Sequence, residues 1–339
     1  MTPSFLSPLR LSLGLGTAAW LALALSASAS ASASAEETVF PLEIAHAFGT
    51  TTIEGVPQRI AVAGLIEHDT LLALGIKPVA IRGWFTDYPN ATGPWAQHLW
   101  EGVEPVSVAG EGINFEALLG SDPDLILAIY TNLDQETYDR LAAIAPTVAW
   151  TEDGGAWGTP WRDNARTIGR IVDRQDEIEV LIQGVEDAFV AAQETYPELV
   201  GARGVAANSV PNGFVIRGDQ YDTGALLTGL GVEYPEEILA QIDSHNVNHF
   251  SWENLDLIRE GLDVVLWDVH GDSTVAAIVE LLDTLEVYPG EDRIVFNWVL
   301  SDAAAAMATQ SVLSFPYAID QLAPRLAAAL DGDPATPAN

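Results

Sequence analysis

The chain predicts an α/β protein of two similarly built lobes with mainly parallel sheets, joined by a single long interlobe helix. Three observations carry that prediction. Short apolar runs alternate with amphipathic stretches of roughly 10–15 residues, the order that parallel strands with helical crossovers require. One segment pair recurs: Phe115-Glu116-Ala117-Leu118-Leu119, then Pro123-Asp124-Leu125-Ile126-Leu127, is echoed by Trp252-Glu253-Asn254-Leu255, then Leu262-Asp263-Val264-Val265-Leu266. Between the halves, residues 175–196 place Ile178, Leu181, Ile182, Val185, Phe189, Ala192 and Tyr196 on one stripe of a helix of roughly 33 Å. Pro197 ends it.

In chain order, residues 38–48 and 49–53 read as two strands around a glycine turn, and 59–63 as a short buried strand. A helix over 67–74 closes on Gly75, and 78–81 resumes as a strand. The stretch 82–100 is a long aromatic loop. Helices over 116–119, 138–144 and 161–172 are interleaved with strands at 124–128 and 147–150. Beyond Pro197, strands are predicted at 204–208, 213–216, 263–267 and 293–296, with helices at 221–230, 254–259, 275–285 and 318–330. The divisions are therefore a first lobe over 36–172, the joining helix over 173–197, a second lobe over 198–330 and a disordered tail over 331–339.

The first 35 residues are set apart. Arg10 precedes an apolar run over 11–25, and a Ser/Ala stretch ends in Ala33-Ser34-Ala35, the layout of a cleaved secretory signal peptide. An exported protein follows. The chain holds no cysteine, so it is expected to rely on a large core rather than disulfides and not to be a lipoprotein. Its 14 basic residues face 48 acidic ones, a formal charge of −34. That balance argues against nucleic acid and anionic membrane as partners, and it suits surroundings of high salt.

His46 to Ile53 (HAFGTTTI), Pro57-Gln58-Arg59-Ile60, Leu71 to Val79 (LLALGIKPV), Phe115-Glu116 with Asp122-Pro123-Asp124-Leu125-Ile126, and Leu141 to Val148 (LAAIAPTV) resemble the ferric-siderophore and cobalamin periplasmic-binding proteins of ABC importers. The likeness runs from about His46 to Leu330. It implies two Rossmann-like lobes on one long helix, a ligand cleft between them, and no enzymatic activity. The implied cargo is a ferric siderophore, its iron held by the chelator without a cofactor or protein metal site. The implied partner is a permease dimer with its ATPase subunits, served by a monomer. In this family one glutamate on each lobe docks onto permease arginines, which by position are Glu116 and Glu253. First-turn glutamates also suit the helix dipole for purely structural reasons.

Open α/β sheets bind ligands just past the carboxyl ends of their strands, and such sites are lined by aromatics. Candidates there are Arg82, Trp84, Tyr130, Trp150 and Trp157 in the first half, and Arg217, Tyr221, Trp267 and Trp298 in the second. Taken singly, each aromatic fits core better than contact; as a set, roughly half are expected to touch ligand. Cobalamin, haem or free metal are the neighbouring alternatives; His245 and His249 could chelate zinc on a helix, although the intervening Asn-Val-Asn makes a poor one. An exported hydrolase is the other class, suggested by Gly271-Asp272-Ser273. No histidine follows His270 to complete a triad, and no G-x-S-x-G elbow exists.

Overall fold

The computed structural model describes residues 38–330 apart from 86, 111, 211, 220–221, 243–246, 255, 260, 270–279, 281–293 and 299–300; for 222, 259, 269 and 294–298 it describes the backbone alone. The predicted leader, the tail, the motif at 271–273 and all of the helix over 275–285 except Glu280 lie outside these residues.

The chain opens with an antiparallel hairpin, β1 (Leu42–His46) and β2 (Gly49–Ile53), turned at Gly49 with φ +125°. Then come β3 (Ile60–Val62), α1 (Glu67–Ala73), β4 (Ala80–Ile81) and β5 (Val106–Ser107). A small hairpin, β6 (Ala109–Gly110) and β7 (Gly112–Ile113), leads into α2 (Phe115–Gly120). The lobe continues with β8 (Leu125–Ala128), α3 (Gln135–Ala142) and β9 (Thr147–Ala149). Its main sheet, β5-β4-β3-β8-β9, is parallel at every pairing. Strands β3, β4, β8 and β9 are buried at every residue. Covered on both faces, they show apolar runs rather than alternation.

Two long helices follow, α4 (Trp161–Ile171) and α5 (Gln175–Thr195). The stripe predicted for α5 is the face it buries: Ile178, Ile182, Val185, Phe189 and Ala192. Each larger side chain contributes roughly 1.5–3 kcal/mol by leaving water. Two glycines receive this helix, one near each end. A Cβ on Gly169 of α4 would lie 2.6 Å from Ile178, and one on Gly229 would lie 2.4 Å from the Phe189 ring. The junction is wider than one helix, because α4 itself spans both cores. Trp161 and Ala165 belong to the second core, Ile168 and Ile171 to the first.

The second lobe contains β10 (Gly204–Val210), β11 (Gly213–Arg217), α6 (Asp222–Gly229), α7 (Glu236–Leu239) and β12 (Val247–Ser251). A 3-10 turn, Trp252–Asn254, precedes α8 (Asp256–Arg259), β13 (Val264–Val269) and β14 (Ile294–Trp298). The helices α9 (Asp302–Thr309) and α10 (Ser314–Ala328) complete it. Its sheet runs β12-β11-β10-β13-β14. The pairings β10–β13 and β13–β14 are parallel as expected, whereas β10–β11 and β11–β12 are antiparallel. Two residues join β10 to β11, enough for a hairpin and far too few for a crossover. The strand β12 and the helix α9 had no clear signal: VNHFS is mostly polar, and DAAAAMAT is mainly alanine and buried along most of its length.

The repeat seen in sequence is a repeat in space. Asp124, just before β8, takes the N–H groups of Gln58 and Arg59 (2.7 and 2.9 Å), and its own N–H donates to the Arg59 carbonyl. Asp263, just before β13, takes the N–H of Arg203 at 2.8 Å and donates its own N–H to the Arg203 carbonyl. Each aspartate thus bolts the amino ends of the two central parallel strands of its sheet.

Candidate functional site

At the other, carboxyl end of the first sheet the chain leaves β3, β4 and β8 into residues 63–67, 82–85 and 129–131. Four predicted residues meet there. Trp84 stacks on Trp157 at 5.6 Å between centroids with planes 29° apart, and both rings meet Tyr130 edge-on, at 6.0 and 5.3 Å. Trp84 is 40% exposed, while Tyr130 is buried beneath it on Leu65 and Ile66. Arg82 follows β4 directly and donates from Nη1 to the Thr131 hydroxyl at 3.1 Å. The result is an aromatic wall with one guanidinium at its edge.

Behind this wall sits a residue that sequence reading did not single out. Glu67, at the start of α1, is wholly buried, and its carboxylate accepts the N–H groups of Ile66 (3.1 Å), Ile129 (2.6 Å) and Tyr130 (2.8 Å). It therefore ties the loop after β3 to the loop after β8. Gly64 makes the approach possible, since a Cβ there would fall 2.0 Å from Oε1. Burial pushes the Glu67 carboxyl above its usual range, and the amide donors pull it back. Burial likewise pushes the Arg82 guanidinium down, and the Glu67 charge works against that. The signal for Glu67 was slight: an acid at the first position of a predicted helix, with a glycine three residues earlier.

The wall also touches the second half of the chain. Gln310, which ends α9, donates from Nε2 to the Tyr130 hydroxyl at 2.9 Å. Beside it Asp69 accepts from Trp95 Nε1 (2.6 Å) and Ser311 Oγ (2.7 Å) in a buried cluster. Burial raises the Asp69 carboxyl, with the neighbouring His68, Ser311 and Trp95 acting the other way. Further out, the Tyr88 hydroxyl donates to Asp302 at 2.5 Å. The aromatic wall and the α9–α10 corner are thereby one hydrogen-bonded unit.

Of the remaining candidates, those whose side chains are described do not join this group. Trp150 is buried and packs edge-on against Phe48 (4.9 Å, 77°) in the core on one face of the first sheet. Trp267 has no exposed surface; it donates from Nε1 to Ser209 Oγ at 3.2 Å and belongs to the second core. Arg217 needs a correction of place. It ends β11, but β11 runs backwards, so it pairs with Ala206 in the amino-terminal half of β10. Trp298 closes β14 level with Val269, at the carboxyl end of the sheet, with its backbone alone described. Tyr221 and His245 lie outside the described residues, and His249 is exposed on a strand rather than a helix. Glu116 and Glu253 are both exposed, each one residue into the turn that opens its helical segment. A cavity of about 350 Å³ opens elsewhere, between α4, α5 and α6, and none of the predicted residues lines it.

Residues 60–286 match the family model described as periplasmic binding protein, and the chain belongs to that family, a class of substrate-binding transport proteins. A periplasmic solute binding protein from Mycobacterium smegmatis str. MC2 155 is 33% identical over 85% of this chain and 98% of its own, with a TM-score of 0.70. PiaA from Streptococcus pneumoniae TIGR4, solved in complex with ferrichrome, is 27% identical over 85% of this chain and 98% of its own, with a TM-score of 0.72. The probable siderophore-binding lipoprotein YfiY of Bacillus subtilis (strain 168) is 36% identical over 139 residues, 40% of this chain and 39% of YfiY. The chain spans less than two thirds of the length of the curated relatives it matches. Two of those relatives carry the word lipoprotein in their names, which overturns the expectation of a protein that is not one. The missing cysteine addressed a single chemistry of attachment, a thioether-linked lipid, and does not decide how a chain is held at a membrane.

Proposed function

We propose that this chain is the extracytoplasmic substrate-binding protein of an ABC importer, capturing a ferric siderophore against the aromatic wall of its first lobe. The observation that carries the reading is the meeting of Arg82, Trp84, Tyr130 and Trp157 past the carboxyl ends of an all-parallel sheet, in a chain of this family. A ferric chelate offers a broad apolar periphery to stack on indole faces, and metal-bound oxygens that a guanidinium can hydrogen-bond. The iron is cargo held by its own chelator, so the protein supplies no metal ligand. Support also comes from what two relatives are named for, a siderophore in YfiY and ferrichrome in PiaA.

Titrating the purified chain with ferric chelates, haem and cobalamin while following tryptophan fluorescence tests this. A ferric siderophore is expected to quench and saturate with a Kd of about 1 μM or below. Haem or cobalamin binding in its place would move the reading to that branch, ester hydrolysis would favour an enzyme, and binding of none would sink it.

Delivery is the second half of the reading. We infer that the monomer, exported by its leader, docks through Glu116 and Glu253 onto a permease dimer served by ATPase subunits. Two exposed acids at matching places in a repeat suit a partner with twofold symmetry. Glu116→Lys with Glu253→Lys should abolish uptake and leave siderophore affinity within about twofold, as for exposed residues remote from the wall. Uptake that survives would remove both from the docking surface.

A further inference from the structure

We propose that Gln310 is a positioning residue of the site: reaching over from the second lobe, its amide holds the Tyr130 hydroxyl and so fixes the floor on which the ligand-stacking indoles rest. The inference rests on the siderophore reading above. It adds to that site a residue of the other lobe, 180 positions away in the chain.

Tyr130 is 1% exposed, so its ring offers a ligand almost no surface. Its part is to carry Trp84 and Trp157, which stack on each other and both stand edge-on to it. A ring supports such neighbours only while both of its ends stay in place. At the backbone end Glu67 accepts the Tyr130 N–H at 2.8 Å, from within the first lobe. At the hydroxyl end Gln310 donates from Nε2 across 2.9 Å, and both side chains are buried.

Glutamine is a costly choice for the backbone here. It caps α9 in the left-handed region, at φ +46° and ψ +52°, where glycine or asparagine sits more easily. Reach is what those two residues would lack. The helix itself is anchored in the second core through Ala303, Ala306 and Met307, so only a long side chain at its end can cross to Tyr130. The next residue makes a similar crossing, since Ser311 Oγ donates to Asp69 at 2.7 Å over 242 positions of sequence. Held this way, the indoles stand ready before a ligand arrives, and binding avoids the cost of ordering them.

The test measures Kd for the whole protein by calorimetry, with a ferric tris-hydroxamate, a ferric tris-catecholate and ferric citrate as probes, beside the denaturant midpoint. Gln310→Asn keeps an amide, eases the left-handed backbone and falls one methylene short of Tyr130. It should weaken the probe that binds the unmodified chain best by about tenfold. Tyr130→Phe should weaken that probe about as much. The double variant should lose no more than about tenfold, because both changes remove one bond. Gln310→Met, similar in length but without a donor, keeps the test open if the asparagine variant fails to fold. A role in stability alone would lower the midpoint and leave Kd unchanged. Unchanged affinity in the Gln310 variants, or losses that multiply to about a hundredfold in the double variant, overturns this proposal and leaves siderophore binding standing. Binding of none of the probes by the unmodified chain overturns it together with the reading beneath it.

Discussion

In the first lobe Asp124 collects the amides of Gln58 and Arg59; in the second Asp263 collects that of Arg203, at the equivalent corner of an equivalent strand pair. At their amino ends the two sheets are thus built alike. At their carboxyl ends they are not. The first sheet is parallel throughout and gathers Arg82, Trp84, Tyr130 and Trp157, whereas in the second the tight β10–β11 connection sends β11 back and carries Arg217 to the opposite half. Spacing along a chain can disclose that two units repeat. Which end of a sheet a residue reaches depends on the direction of its strand, and one hairpin reverses it.

The comparison can be broken most forcefully at its tryptophans. Trp267→Ala removes a fully buried indole from the second core and should cost about 3–5 kcal/mol, read as a shift in denaturant midpoint. Trp84→Ala, at a 40% exposed position, should cost less than about 1 kcal/mol while weakening ligand binding. If both destabilise equally, the division into wall and core is wrong.

The joining helix offers a second contrast. Gly169→Ala and Gly229→Ala press a methyl onto Ile178 and Phe189, one toward each end of α5. Each should cost about 1–3 kcal/mol by overpacking. A neutral result at either site in thermal unfolding would mean that end of the helix is loosely seated.

The smallest effects test the repeated bolts. Asp124→Ala loses two amide bonds and Asp263→Ala one, all on exposed backbone, for about 2 and about 1 kcal/mol respectively. Equal losses would show that the Arg59 and Arg203 side chains, rather than the carboxylates, dominate these corners. Arg59 donates to the carbonyls of Asp122 and Ser121, and Arg203 pairs with Glu237.

Most of the fold was legible because its signals are local. The α5 stripe, the glycine that closes α1 and the buried runs of β3, β8 and β13 follow from periodicities of 3.6 and from short apolar blocks. Most of the wall was legible for a related reason: Arg82, Trp84 and Tyr130 stand within three residues of a strand's end. Trp150 follows β9 and Trp267 lies within β13, and both rings turn inward, because the side of a strand that a residue faces depends on what packs there.

By itself, then, the amino-acid sequence determined the alternation of strand and helix, the long amphipathic joining helix, the repeated acids and the family they suggest. All of these are written in the order of neighbouring residues. Tertiary structure alone decided that β11 runs backwards, that α4 shares the junction with α5, and that Glu67 ties the loop after β3 to the loop after β8. The last of these depends on groups far apart in the chain, 62 and 63 residues in the case of the Glu67 contacts with Ile129 and Tyr130, and only packing brings such groups together.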